Sequence, residues 1–300
     1  MPENTFIIVD SAQIEARVLA WLAGQEDLSD GFRNGEDIYS VFATRLFGCE
    51  VRKPKETDSD SDKRVLKIRR GFGKDAILGC GYGMGAKTFF ERCKQNPDLR
   101  PLFDSGQYTF GFIEDLIKTY RTTYTDIPKL WSKLEKAFKW VIKYPHEVIA
   151  YNNYEFHSHK TNGLKYFKNE PFILRLWNNN GTINLQLPSG RVLYYRHARI
   201  MQEQRGSSIR WHWGHLWGGS IVENVVQAIA RDLLGYWILE YEKAHLPVVL
   251  HSHDEIVSLV AKERAEDCLA AAISIMRQGP DWAEGLPLNA EGEISMRYKK

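Results

Sequence analysis

The sequence has few cysteines, no long apolar run and almost no net charge. Its four cysteines (Cys49, Cys80, Cys93 and Cys268) lie far apart and form no CxxC pair. That spacing argues against a disulfide framework and a cysteine zinc site, and it suits a reducing cytoplasm. No apolar stretch approaches the ~18 residues that a membrane span requires. The opening MPENTFIIVD lacks a basic region and carries only a short apolar stretch, so it does not read as a signal peptide. Forty basic against 38 acidic residues leave a formal charge of +2, which by itself announces no nucleic-acid partner. There is no internal repeat, and the only low-complexity piece is DSDSD (58–62).

What is present is an ordinary globular composition, 43% hydrophobic and 26% charged, with an aromatic share of 12% that includes nine tryptophans. Three hundred residues suggest about two domains. Phe6-Ile7-Ile8-Val9 reads as a short buried strand that ends on Asp10, and Ile14, Val18 and Leu22 follow at helical spacing. Residues 53–62 (KPKETDSDSD) read as an exposed loop. Residues 63–74 then carry six cations and no acid, and a glycine-dotted stretch follows. Two apolar stripes predict helices over 112–142, one of Ile113, Leu116, Ile117 and Tyr120, the other of Leu130, Leu134, Phe138 and Val141, with a restart at Asp126. FILRLW (172–177), TINLQL (182–187) and RVLYY (191–195) read as strands separated by the turns NNNG and PSG. A long helix is predicted over 220–241 with Val222, Val225, Ile229 and Leu233 inward. After it come a strand, the turn His251–Glu255, a second strand, a helix over 263–277 and a last strand near 288–296.

Two acids stand at predicted strand ends, Asp10 and Asp254. Carboxylates on rigid strands are what a pair of hard divalent ions requires. Taken singly, such aspartates are most often helix caps or turn residues. Arg70, Lys74, Leu78 and Tyr82 recur every four residues and so share one helix face. Two cations a turn apart can hold a triphosphate, and an aromatic further along can meet a base. Alone, this too reads as a solvated basic face with a core tyrosine. His157-x-His159 and His212-x-x-His215 have ligand-like spacing, but no cysteine completes a zinc set. Trp211, Trp213 and Trp217 read as core or DNA-backbone packing.

The order of these pieces is more specific than any one of them. A strand ending in Asp10 with Glu15 and Arg17 behind it, then Arg70-x-x-x-Lys74 leading to Tyr82-Gly83, then His253-Asp254-Glu255, resembles the three polymerase motifs of the family A DNA polymerases, phage enzymes in particular. The resemblance implies an α+β fold, a palm on an antiparallel sheet with helical fingers. The palm would take residues 1–28 and 148–300 and the fingers 29–147. It further implies a template-directed DNA polymerase. Asp10 and Asp254 would be the metal carboxylates, holding two Mg²⁺ ions for which Mn²⁺ can substitute, with Glu255 ordering the site. Glu15 would be the steric gate against a 2′-hydroxyl. Arg70 and Lys74 would contact the triphosphate, with Lys74 a candidate proton donor to pyrophosphate. Leu78 and Tyr82 would line the nucleotide site, Tyr82 by stacking. Arg17, Arg191, Glu223, Asn224, Gln227, Arg231 and His253 would lie along primer-template DNA, with Arg17 also supporting the site.

The sequence departs from the family pattern in three places. Ser11-Ala12 replace Tyr-Ser, and Leu78 stands where the family has an aromatic. Gly71, Gly73, Gly79 and Gly81 load the fingers helix, which predicts a marginal or kinked segment. The chain begins only nine residues before Asp10, where the family carries a thumb, more palm and usually an exonuclease domain. The resemblance therefore implies a piece of a longer enzyme or a split polymerase. Its partners would be dNTPs, primer-template DNA and a protein supplying the thumb, in a cytoplasm and away from membranes. Competing readings are a single-subunit RNA polymerase, a non-catalytic replisome subunit and a generic α+β protein. Glu15 and the His-Asp-Glu form of the third motif favour deoxynucleotides.

Overall fold

The computed structural model describes residues 3–152, 155–160, 173–204 and 206–298, and side chains are described for these apart from 156–160. The elements run β1 (Asn4–Ser11), α1 (Ile14–Ala23), α2 (Glu26–Arg33), α3 (Ile38–Phe47), α4 (Asp60–Cys80), α5 (Ala86–Gln95), α6 (Arg100–Asp104), α7 (Phe110–Thr123) and α8 (Asp126–Lys143). A β-rich stretch follows: β2 (Glu147–Asn152), β3 (Glu155–Lys160), β4 (Leu174–Asn179), β5 (Thr182–Gln186), β6 (Val192–Tyr195), β7 (Arg199–Glu203), β8 (Gly206–Trp211) and β9 (Gly214–Leu216). The chain closes with α9 (Gly218–Lys243), β10 (Val248–Ser252), β11 (Glu255–Ala261), α10 (Ala265–Met276) and β12 (Ala290–Ser295). This is the expected α+β class, with antiparallel sheets throughout the described residues.

Among the described residues the strands form three sheets, ordered β10-β11-β1-β12, β3-β2-β4-β5-β6 and β7-β8-β9. The first sheet matters most for the site. Its inner strand β1 is a run of apolar residues, Ile7 and Val9 having no exposure. It draws together β11 and β12, which are distant in sequence. Both apolar stripes predicted for 112–142 are buried, on α7 and α8, and α8 restarts at Asp126. Val222, Val225, Ile229 and Leu233 of α9 are fully buried, each stabilising the core by about 1.5–3 kcal/mol. Packing of that face leaves Gln227 and Arg231 exposed on the other side.

One expectation about residues 53–62 is corrected. The acidic stretch is not all loop: Ser59 caps α4 by accepting a hydrogen bond from the Asp62 backbone, and Asp60 and Asp62 occupy the first turn. Acids there complement the positive end of the helix dipole. The glycine-rich helix runs without interruption to Cys80. Gly73 explains one of its glycines, because a Cβ there would sit 2.1 Å from the Tyr39 carbonyl oxygen of α3. Glycine allows the two helices to approach.

The segment before β12 is fastened to the N-terminal helices by a series of long-range bonds. Trp21 donates to the Glu284 carbonyl, Arg33 to Gly285 and Arg17 to Pro287, and the Ala12 amide donates to Asn289.

Candidate active site

Asp10 lies at the end of β1, opposite Glu255 on β11 and Glu291 on β12. Residues directly opposite across antiparallel strands share a sheet face, so the three acids form one row. Asp254 sits in the tight turn between β10 and β11, beside His253, whose backbone is left-handed at φ 57°. The Ser11 amide donates to the Asp254 carbonyl at 3.0 Å, which ties this turn to the end of β1. Asp10 and Asp254 thus open on one cavity of about 610 Å³, together with Glu15, Arg70, Leu78 and His253. Six acids and three permanent cations line it, the acids including Glu36, Asp37 and Glu291.

Glu15 is in the first turn of α1, just behind Asp10. Its Oε2 accepts a hydrogen bond from Tyr82 at 3.3 Å, and its Oε1 lies 3.9 Å from His253 Nε2. His253 Nδ1 in turn lies 3.1 Å from an Asp254 carboxylate oxygen. Tyr82 falls in the turn after α4, not on the helix proper. That turn is fixed by Trp131, to which the sequence alone did not point, and by Trp217, which it marked as a packing residue. Trp131 of α8 donates to the Gly81 carbonyl at 2.9 Å, and the Trp217 ring lies against Gly83, where a Cβ would approach it to 2.2 Å. Burial, then the charge of Glu15, raises the Tyr82 phenol well above its ordinary range, so it stays a proton donor. Burial and the same carboxylate push the Glu223 carboxyl upward.

Arg70 reaches the cavity but is held there. It donates to Asp37 through Nε at 2.7 Å and Nη2 at 2.9 Å, and its guanidinium lies 5.3 Å from the Tyr39 ring centre. Asp37 also accepts from Ser40 at 2.7 Å. Burial raises the Asp37 carboxyl, but the bonds from Arg70 and Ser40 and the charges of Arg70 and Lys53 outweigh it and hold the group below 3.8. Lys74, a turn further on, is exposed and is not among the residues lining the cavity.

Gln227 and Arg231 of α9 line a second cavity of about 380 Å³, which shares Glu15, His253 and Asp254 with the first. Glu223 and Asn224 are half-buried nearer the start of the helix. Two candidate DNA contacts are engaged within the chain. Arg17 is 4% exposed, and its guanidinium donates to the Ala12 carbonyl at 2.7 Å and to Pro287 at 2.8 Å. It supports the loop after Asp10, its guanidinium committed to two backbone carbonyls. Burial lowers its pKa to about 10, against the charges of Tyr39 and Glu291. Arg191 binds Asp232 at 2.6 Å and the Ala228 carbonyl at 2.6 Å, locking the PSG turn onto α9.

A sequence model of DNA polymerase family A matches residues 1–139, the stretch holding Asp10, Glu15, Arg70, Lys74 and Tyr82. Over 308 aligned positions the chain is 30% identical to the DNA polymerase of Bacillus phage SP02, taking in 99% of this chain. The chain belongs to DNA polymerase family A. It covers 41% of the phage protein, well under two thirds of that relative's length. It is also 37% identical over 105 residues to DNA polymerase I of Chloroflexus aurantiacus, covering 35% of this chain and 10% of that one. The fold of this family A chain resembles the POL domain of Pol1 from M. smegmatis, solved in complex with DNA primer-template and dNTP. The TM-score is 0.59 at 14% identity, over 97% of this chain and 39% of that one.

The donor set can be tested against the divalent ions that the family implies. Among the described residues no three of His, Cys, Asp and Glu gather into a metal cage. Magnesium needs none: it is held by one or two carboxylates, with water and substrate phosphates completing its shell. Asp10 and Asp254 provide two such carboxylates at one cavity. Glu255 adds a buried Oε1 without a hydrogen-bond partner in the same row. The residues fit hard divalent cations. His212 and His215 join no such group, and the side chains of His157 and His159 lie outside the described residues. Trp213 is 77% exposed, so it is not core. No helix among the described residues is long and apolar enough to cross a membrane.

Proposed function

We infer that the chain is the palm and fingers of a template-directed DNA polymerase, which joins a primer 3′-hydroxyl to the α-phosphate of a dNTP and releases pyrophosphate. One observation carries this: Asp10 and Asp254 face the same cavity as Glu15 and Arg70. Asp10 and Asp254 would hold the two Mg²⁺ ions, with Glu255 behind them. The ions, when bound, lower the pKa of the primer hydroxyl and offset charge on the leaving pyrophosphate. Glu15, braced by Tyr82, stands against the sugar and excludes a 2′-hydroxyl. Leu78 offers that sugar an aliphatic wall in place of an aromatic one. Arg70 receives the triphosphate by exchanging Asp37 for phosphate oxygens. Lys74 would join it only if α4 moves toward the cavity. Gln227 and Arg231 lie along the primer-template path, and base pairing reads the template.

The phage relative is more than twice as long as the aligned chain, and a thumb-bearing segment or partner protein would complete the duplex grip. The test is primer extension with Mg²⁺ and dNTPs, with and without an added thumb-bearing segment or partner protein. Template-directed extension that disappears in Asp10→Asn and in Asp254→Asn is the expected result. Extension that survives both substitutions would place catalysis elsewhere. Equal use of rNTPs and dNTPs would favour an RNA polymerase.

A further inference from the structure

We propose that Lys53 is a second contact for the triphosphate of the incoming nucleotide, a proposal that rests on reading the cavity as a nucleotide site. Lys53 lines the cavity with Arg70, Asp37 and Asp254. The other two permanent cations there are engaged, Arg17 by backbone carbonyls and Arg70 by Asp37. The Lys53 side chain is exposed, and among the described residues its ammonium makes no hydrogen bond or ion pair, though its charge is felt at Asp37. A triphosphate that draws Arg70 away from Asp37 therefore meets Lys53 on the same rim.

The loop that carries Lys53 is built to hold it there. Val51 is 3% exposed, and its amide and carbonyl both bond the Thr44 hydroxyl. Arg52 makes a bidentate pair with Asp58 at 2.7 and 2.8 Å, and Asp58 also accepts the Lys55 amide at 2.7 Å. These bonds fix the backbone on both sides of Lys53. Ordering a loop on binding costs affinity, and a loop ordered beforehand avoids that cost.

The test measures binding of Mg·dTTP and of dTMP to the full chain by titration calorimetry, and of primer-template DNA by anisotropy. Lys53→Ala is expected to weaken Mg·dTTP about tenfold, as one charge-assisted contact should, and Lys53→Arg to restore most of it. Binding of dTMP and of primer-template should not change. Unchanged triphosphate affinity, an equal loss for dTMP, or a loss of primer-template affinity instead would overturn the proposal; the last would make Lys53 a DNA-backbone contact. The two readings separate cleanly. A chain that binds triphosphate through Lys53 yet extends no primer keeps the contact and loses the polymerase reading. A chain that extends primers while Lys53→Ala binds triphosphate normally loses the contact alone.

Discussion

The phenolic oxygen of Tyr82 donates to Oε2 of Glu15 across 3.3 Å, joining the turn after α4 to the first turn of α1. The bond couples the helix proposed to carry the nucleotide contacts to the residue proposed to judge the sugar. Glu15 is thereby aimed by a group that burial keeps protonated.

Glu15→Ala should admit ribonucleotides, lowering the dNTP-over-rNTP ratio of kcat/KM by at least about tenfold. Glu15→Gln keeps the size and should keep most of the ratio. Tyr82→Phe removes only the bond and should lower the ratio by about fivefold, the worth of roughly 1 kcal/mol. Single-nucleotide incorporation with matched dNTP and rNTP checks the order of the three. Equal ratios for Glu15→Ala and the unaltered chain would remove Glu15 from sugar selection.

Arg17→Ala should destabilise the fold by about 2–4 kcal/mol, because it leaves two carbonyls without donors and removes the guanidinium over Phe32. A residue that touches no phosphate should leave the salt dependence of DNA binding unchanged. Urea unfolding and a salt titration of primer-template affinity measure the two effects separately. A shallower salt slope in the variant would return Arg17 to the DNA interface.

Much of this site could be read along the chain. Asp10 and Tyr82 stand out by local spacing, Glu15 through the resemblance to the family A motifs, and the buried faces of α7, α8 and α9 follow from periodicity. The residues that escaped were those whose role depends on distant pairing. Glu291 joins the row of Asp10 only because β12 docks beside β1. Asp37 gains its meaning from Arg70, 33 residues away. Arg17 reads as a DNA contact as well as a support of the site, and only the segment around Pro287, far along the chain, shows which carbonyl it holds. Periodicity reports which face is apolar, but not which backbone carbonyl will lie over an arginine. DSDSD reads as loop because serine and aspartate favour turns and helix caps alike.

Asp37 should give acid stability a recognisable signature. Its carboxyl is held below 3.8 in the folded protein, so its contribution is fully present above that value. It is lost as the pH falls below 3.8 and through the depressed folded value. Asp37→Asn should therefore lower stability near neutrality by about 1–2 kcal/mol, a partly buried charge-assisted pair being worth that much. The gap from the unaltered chain should close as the pH drops below 3.8. Denaturant midpoints measured from neutrality down into the acid range below 3.8 would show it. A gap that stays constant with pH would mean the substitution acts through packing.

Gly71 and Gly73 lie two residues apart on α4 and should respond in opposite directions. A Cβ at Gly71 meets nothing within 4 Å, whereas one at Gly73 would lie 2.1 Å from the Tyr39 carbonyl oxygen and 3.1 Å from the Ala43 Cβ. Gly71→Ala therefore removes only the entropic handicap of a helical glycine and should stabilise by about 0.5–1 kcal/mol. Gly73→Ala must push α3 and α4 apart and should destabilise by about 1–3 kcal/mol. Tyr39 sits in that contact and also lies under Arg70, so the second substitution should disturb nucleotide binding as well. Thermal unfolding checks the signs. If α4 must bend at Gly71 for Lys74 to reach the triphosphate, Gly71→Ala will raise Tm while lowering kcat. If α4 works without bending there, Tm will rise and kcat will hold.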